Sequence, residues 1–302
     1  MSNDALSKAL SGLMGRYRSR VPAVELVLSS MKKDGIISSE DDIQNDHIAF
    51  RTMGVKNLGI QSLEKIFLHY GYEKKDYYYF EKKKLDAYWY SPPKNHHPRI
   101  FISELCVDKL SSDTQKLIRS YTDTVTSDPV DSIDLDNGDA VDSFLHSPLW
   151  KTPTWADYQS LQAESEYAAW VIYNRYYLNH FTISVHALES PHDNLEAFNE
   201  YLEGLGVKLN TSGGKIKVSA DEKLRQSASV AGMVDAAFAT DAGDTDIHQI
   251  SGSYVEFAER LVLDKYSHLS PSEIKREHRR DGFEAANADK IFESTYSSQT
   301  KK

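Results

Sequence analysis

The order strand, helix, strand, strand, strand runs through this chain twice, and that recurrence constrains its fold more than any single motif. The first run begins with β-type patterning from Asp46 to Thr52 and continues into GIQSLEKIFLHYGY, an amphipathic helix closed at Gly71. KDYYYFEKKKLDAYWYSPP and PRIFISELCVD then read as strands rich in Tyr, Phe, Ile and Trp. In the second run HFTISVHAL is the strand and LEAFNEYLEGLG the helix, ending at Gly204 or Gly206. KLNTSGGKIKVS reads as a hairpin about SGG, followed by strands LRQSASVA and GSYVEFAERLVL. No residue-level repeat accompanies the shared order. Two βαβββ units whose sheets curl around a common centre would bring their first and last strands together. The expected fold is therefore α+β, a curled central sheet with flanking helices.

The expected organisation is one domain over residues 1–302, with a helical N-terminal element at 1–40, a first unit at 45–120 and a second at 150–265. Between Leu6 and Lys33 apolar residues recur at helical spacing, interrupted near Pro22 and capped at Gly35. The stretch from Thr122 to Ser143 holds seven aspartates and little to bury, so a solvated acidic loop is expected over 122–148. Residues Thr154 to Asn174 read as helical, and a helical or mixed segment at 266–302 should flank the cavity.

A net charge of −10 weighs against a nucleic-acid or anionic-membrane surface. Cys106 is the single cysteine, which excludes an intrachain disulfide and fits a reducing compartment. No stretch approaches the roughly 20 apolar residues of a membrane span. Cytoplasm is the default location, with the Ser- and Arg-containing start leaving organelle targeting open.

Three of the strands carry a metal-ligating residue: His47, His180 and Glu256. Two imidazoles and a carboxylate that leave positions open are the donor set with which non-haem Fe(II) binds a substrate and dioxygen side by side. Residues of equal parity share a strand face, so His47 lies with Ala49 and Arg51, His180 with Thr182, Ser184 and His186, and Glu256 with Tyr254 and Ala258. Their neighbours Ile48, Phe50, Phe181, Ile183, Val255 and Phe257 form the apolar outer face that helices would cover. A single His or Glu on a strand is more often structural than ligating, so spacing alone leaves the trio open. His186 is the chief rival ligand, while Glu259 falls on the opposite face from Glu256. Arg51 lies about 13 Å along the strand from His47, and a guanidinium leaning back would meet the far carboxylate of a metal-chelating 2-oxo diacid. Arginine's planar fork suits a carboxylate through paired charge-assisted hydrogen bonds.

From Asp46 to Ser294, the segments NDHIAFRTMGVKNLGI, PRIFISELCVD, ESEYAAWVIYNRYYLNHFTISVH, KLNTSGGKIKVS, LRQSASVA, GSYVEFAERLVL and EHRRDGFEAANADKIFES resemble, in order, the 2-oxoadipate dioxygenase/decarboxylases, also called hydroxyglutarate synthases, in their short plant and bacterial form. The resemblance implies a vicinal-oxygen-chelate fold and an Fe(II) enzyme of lysine breakdown that turns 2-oxoadipate and O2 into 2-hydroxyglutarate and CO2. It matches the family's metal ligands to His47, His180 and Glu256, and its substrate-binding arginine to Arg51. EFAER and LRQS also resemble strands of 4-hydroxyphenylpyruvate dioxygenase and hydroxymandelate synthase, which implies an active-site role for Gln226. Thr182, Ser184, Tyr254 and Gln226 are then candidates to hydrogen-bond the substrate or steady the ligands. The partners implied are a small 2-oxo dicarboxylate and O2, with no nucleic acid or membrane. The alternatives are a related Fe(II) dioxygenase for another 2-oxo acid and a metal-free binding protein on the same scaffold.

Other signals are weaker. SGGK lacks phosphate-loop spacing and reads as a turn. DLDNGD has no glutamate at the position a calcium loop requires. KKDYYYFEKKK interleaves lysines with aromatics but reads as an edge strand whose lysines face water.

Overall fold

Strand β1 (Asn45–Met53) is buried along nearly its whole length, and a strand covered on both faces can only lie inside a sheet. A computed structural model, which describes residues 2–301, places it at the middle of an eight-stranded sheet. Helices α1 (Ser2–Arg20) and α2 (Pro22–Lys33) precede it, broken at Pro22 as the sequence suggests. After β1 come α3 (Ile60–His69), β2 (Glu73–Phe80), β3 (Leu85–Ser91) and β4 (Arg99–Leu105). Helices α4 (Ser112–Thr122), α5 (Gly138–Leu145), α6 (Trp155–Glu164) and α7 (Glu166–Asn174) lead into β5 (His180–Ser184) and α8 (Leu195–Gly204). The chain continues through β6 (Lys217–Val218), β7 (Leu224–Ala228), β8 (Met233–Ala239), β9 (Thr245–Ser251) and β10 (Tyr254–Arg260). It closes with α9 (Ala285–Ile291) and α10 (Ser297–Thr300).

The sheet order is β2-β3-β4-β1-β5-β10-β7-β6. Each half pairs its first and last strands in parallel, β1 with β4 and β5 with β10, and the halves join where β1 meets β5 antiparallel. Ala49 pairs with His180, His180 with Tyr254, and Thr182 with Glu256. These registers put the ligand-bearing faces of β1, β5 and β10 side by side. The opposite face is the apolar one: Ile48, Phe50, Phe181, Ile183, Val255 and Phe257 are all buried. Their rings meet the helices directly, Phe50 against Phe67 of α3, Phe181 against Tyr17 of α1 and Phe257 against Phe198 of α8. Strand β2 is the exposed edge, which accounts for its lysines and tyrosines.

Three sequence expectations are corrected. The acidic stretch at 122–148 is not a solvated loop. It contains a 3-10 turn at Pro129–Ser132 and helix α5, which Asn137 caps and whose Val141 and Leu145 are buried. Arg16 of α1 pairs with Asp142 at 2.7 Å. The aspartates face water and ion partners while an i, i+4 apolar pair faces in, a stripe too short to stand out among so many charges. SGG is a turn, with Gly213 at φ 70° and Gly214 at φ 97°, but it joins no hairpin. Leu209 bridges to Ser229 while β6 pairs with β7. Finally β8 and β9 form a separate two-stranded sheet inserted before β10.

The α1–α5 contact is close enough to require a glycine. A Cβ at Gly138 would lie 2.4 Å from the Ala5 carbonyl oxygen and 2.8 Å from the Lys8 Cβ. Gly138→Ala should therefore separate the two helices and destabilise the fold by about 1–3 kcal/mol, read as a lower thermal midpoint. Metal content should be unchanged, because Ala5 and Lys8 lie about three turns of α1 away from Tyr17, the residue through which that helix meets β5.

Candidate metal centre

His47, His180 and Glu256 converge at one buried point, each offering a ligand atom within 4.8 Å of the other two. His180 Nε2 lies 3.1 Å from one Glu256 oxygen and 3.3 Å from His47 Nε2, which lies 3.6 Å from the other Glu256 oxygen. The remaining ring nitrogens are held elsewhere. His47 Nδ1 contacts the Asp46 carboxylate at 2.8 Å, and His180 Nδ1 contacts Asn179 Oδ1 at 3.1 Å. These acceptors assign the ring protons to Nδ1 and turn both Nε2 lone pairs inward. Two imidazole edges and a carboxylate facing each other in a dry interior call for a positive charge among them, which either a proton on His47 or a divalent cation supplies.

The surroundings support that arrangement. Gln226 donates to Glu256 Oε1 at 2.6 Å and its own carbonyl accepts from Asn287 at 3.1 Å, so the carboxylate is fixed from behind. Thr182 Oγ1 lies 3.1 Å from His47 Nε2. Phe283 packs edge-on against His47 and Tyr254 tilts over His180. Asp46 is held in turn by Arg260, whose Nε and Nη2 donate to its two oxygens at 2.6 and 2.9 Å. Burial alone would raise the Asp46 carboxyl, but Arg260 and Arg99 outweigh it and hold the group well below its usual range. Burial, with His47 and Arg51 adding to it, holds His180 well below the usual imidazole value. Burial pulls His47 down as well, but Glu256 and Asp46 overcome it and raise the ring. A metal must displace that proton.

Arg51 lines the same cavity and is 1% exposed. It donates to Thr295 Oγ1 at 2.9 Å and to the Phe292 carbonyl at 3.0 Å, with Tyr167 and Trp170 rings each 5.2 Å away. No carboxylate pairs with it among the described residues, and its Nε has no partner. Among the described residues the Tyr254 hydroxyl and Asn179 Nδ2 also find no hydrogen-bond partner, and both are buried. Phe101, Phe283, Ile291 and Phe292 supply apolar walls, the last three from the C-terminal segment.

Of the residues singled out in the sequence, His47, Arg51, His180, Gln226, Tyr254 and Glu256 line this cavity together. Ser184 does not: it lines a neighbouring polar cavity with His186. Strand β5 ends at Ser184 and the chain enters a 3-10 turn, so strand parity no longer applies at His186. Glu259 accepts from Arg225 and from the Leu195 amide at the start of α8, away from the metal residues. Sequence reasoning missed Asp46, Asn179, Asn287 and Arg260. The DH and NH pairs before the two ligand histidines, Asp46–His47 and Asn179–His180, were the available signal for the first two.

Comparison with known proteins places the chain in a family. A family model described as 2-oxoadipate dioxygenase/decarboxylase matches residues 9–270. A chloroplastic 2-oxoadipate dioxygenase/decarboxylase of Arabidopsis thaliana is 44% identical over 94% of this chain and 75% of its own length. A chloroplastic/amyloplastic counterpart of Oryza sativa is 43% identical over 96% of this chain and 78% of its own. The crystal structure of an Oryza sativa hydroxyglutarate synthase in complex with 2-oxoadipate superposes with TM-score 0.87 at 40% identity, over 99% of this chain and 94% of that one. A glyoxalase superfamily protein from Ralstonia eutropha shares the fold, with TM-score 0.70 at 20% identity. No helix among the described residues is long and apolar enough to cross a membrane.

Replacing His47, His180 or Glu256 with Ala should abolish most metal binding while leaving a folded protein, whereas His186→Ala and Glu259→Ala should retain full metal content by elemental analysis. Metal affinity should also fall as pH drops through the raised His47 value, because the proton and the metal compete for one lone pair. A metal titration repeated across pH reads this directly, and His47→Ala should remove the dependence together with the binding.

Proposed function

The chain belongs to the 2-oxoadipate dioxygenase/decarboxylase family, and on that premise we propose that it converts 2-oxoadipate and O2 to 2-hydroxyglutarate and CO2, with Fe(II) held by His47, His180 and Glu256. The observation that carries this reading is a set of three converging donor atoms beside a buried guanidinium that has no acid partner. Such a guanidinium is costly inside a protein unless something anionic enters to meet it. A diacid chelated at its 2-oxo end would bring its second carboxylate there.

Fe(II), when bound, supplies a chelation point for the 2-oxo acid and the electrons that activate O2. The protein's own residues do the rest. Asp46 and Asn179 hold the protons on Nδ1, so that each Nε2 is the atom presented to the metal, and Gln226, braced by Asn287, fixes the carboxylate. Arg51 anchors the distal carboxylate and so sets which carbon faces the reacting centre. The Tyr254 hydroxyl and Asn179 Nδ2, both unpartnered, are the groups available to hydrogen-bond the substrate. Phe101, Phe283 and Phe292 keep water from the reacting carbons. Ser184 has no part here, since it faces the other cavity. The reaction balances with both atoms of O2 retained in the products and one carbon lost as CO2.

The aromatic walls are also what an aryl 2-oxo acid would use, so a substrate panel decides between the two readings. Protein loaded with Fe(II) without air should take up one O2 and release one CO2 per 2-oxoadipate, and faster turnover of phenylpyruvate would favour the aryl reading. Arg51→Lys keeps the charge but loses the paired hydrogen bonds. At about 1.5–3 kcal/mol for a charge-assisted contact, apparent affinity for 2-oxoadipate should fall roughly ten- to a hundredfold with iron content normal. Turnover of 2-oxohexanoate, which lacks the second carboxylate, should change much less. An unchanged preference between the two substrates would show that Arg51 does not read the distal group.

A further inference from the structure

On the far side of Asp46 from the metal residues lies a second cavity of about 240 Å³, walled by polar groups and open to solvent. In a chain of net charge −10 its lining is strongly basic: Arg99, Arg260, Lys275, Arg276 and Arg279 against the single carboxylate of Asp46. Asp46 is already neutralised by Arg260, and Arg99 by Asp281 at 2.6 Å. The remaining three, Lys275, Arg276 and Arg279, have no acidic partner within ion-pair distance among the described residues. Arg276 spends Nη1 on the carbonyls of Asn95 and His97 and leaves Nη2 buried without a partner. Arg279 donates Nη1 to the Arg260 carbonyl.

The cavity wall is built as well as charged. Arg99, 3% exposed, directs Nε to Asp281 and Nη1 to Asp46, and its Nη2 donates to none of the described residues. Ser184, buried at the end of β5, also lines the cavity. His186 accepts from the Arg260 amide through Nδ1 at 3.1 Å, which assigns its proton to Nε2. Guanidinium, imidazole and hydroxyl donors thus converge on one space, held by β1, β4, β5 and the segment after β10. Crowded cations of this kind lower one another, as burial and Arg260 lower Arg99 to about 10, and an anion between them would relieve the strain.

We propose that this cavity is a second anion site, which takes a small multiply charged oxyanion, either a phosphate ester or a dicarboxylate, separately from the substrate position beside Arg51. Fork-shaped arginines recognise the oxygens common to both ligand types.

The test is calorimetric titration of the metal-loaded enzyme with inorganic phosphate and, separately, with succinate, at ionic strength fixed with chloride. At least one anion should bind saturably with one site per chain, and which one binds identifies the ligand class. The Arg276→Gln/Arg279→Gln double variant should bind at least tenfold more weakly, and Arg51→Lys should bind as wild type does. Because Arg276 also braces the 95–97 turn, the exposed Lys275→Glu provides a second arm and should weaken binding without disturbing the fold. Binding of neither anion above chloride, full binding in both Lys275→Glu and the double variant, or loss of binding in Arg51→Lys would overturn the proposal.

Discussion

The buried ion pair of Asp46 with Arg260 is the interaction on which the centre of this molecule depends. It joins the first strand of the first half to the last strand of the second, across 214 residues of chain. Both charges are desolvated, so the pair is stable only because its geometry is complete. Arg260 gives two donors to the carboxylate and its Nη1 to the carbonyls of Arg280 and Gly282, while Asp46 also meets Arg99 and His47. Removing one member of such a pair costs about 3–5 kcal/mol, because the other is left buried and unpaired. The same carboxylate orients His47, so the device that locks the two halves together also aims a metal ligand.

From that anchor the division of space follows. On one side of Asp46 the groups are acceptors, two imidazole lone pairs and a carboxylate, arranged for a cation. On the other, five cationic side chains outnumber the one carboxylate, a balance that suits an anion. Arg51 is the exception on the metal side, a lone buried cation placed where an anionic substrate would end. The low dielectric of the interior makes each of these mismatches costly until a ligand resolves it. Binding and chemistry are thereby coupled to the same few unpaired groups.

Much of this could be read in the sequence because strand parity is a strict geometric rule. His47 with Arg51, His180 with Thr182 and Glu256 with Tyr254 share faces that the structure turns inward, and the apolar residues between them pack on α1, α3 and α8. Asp46 escaped the same rule. Parity puts it on the outer face, but the β1–β5 register shifts between Asn45 and Ile48, and that irregularity accompanies a carboxylate that reaches back to the histidine beside it. Arg260 could not have been assigned at all, since nothing local announces a partner so distant in sequence. His186 was misplaced because β5 stops at Ser184, and Ser184 because four residues of extended strand carry it about 13 Å from His180 and into the neighbouring cavity. Helix α5 was hidden by charge: only Val141 and Leu145 mark its inner face.

The most direct measurement is a crystal structure of the protein grown without air with Fe(II) and 2-oxoadipate, with the iron located by its anomalous scattering. The account requires one iron peak bonded to His47 Nε2, His180 Nε2 and a Glu256 oxygen, with the substrate's 2-oxo acid end on the iron and its distal carboxylate on the Arg51 guanidinium. An iron peak anywhere else, or a distal carboxylate pointing away from Arg51, would contradict it.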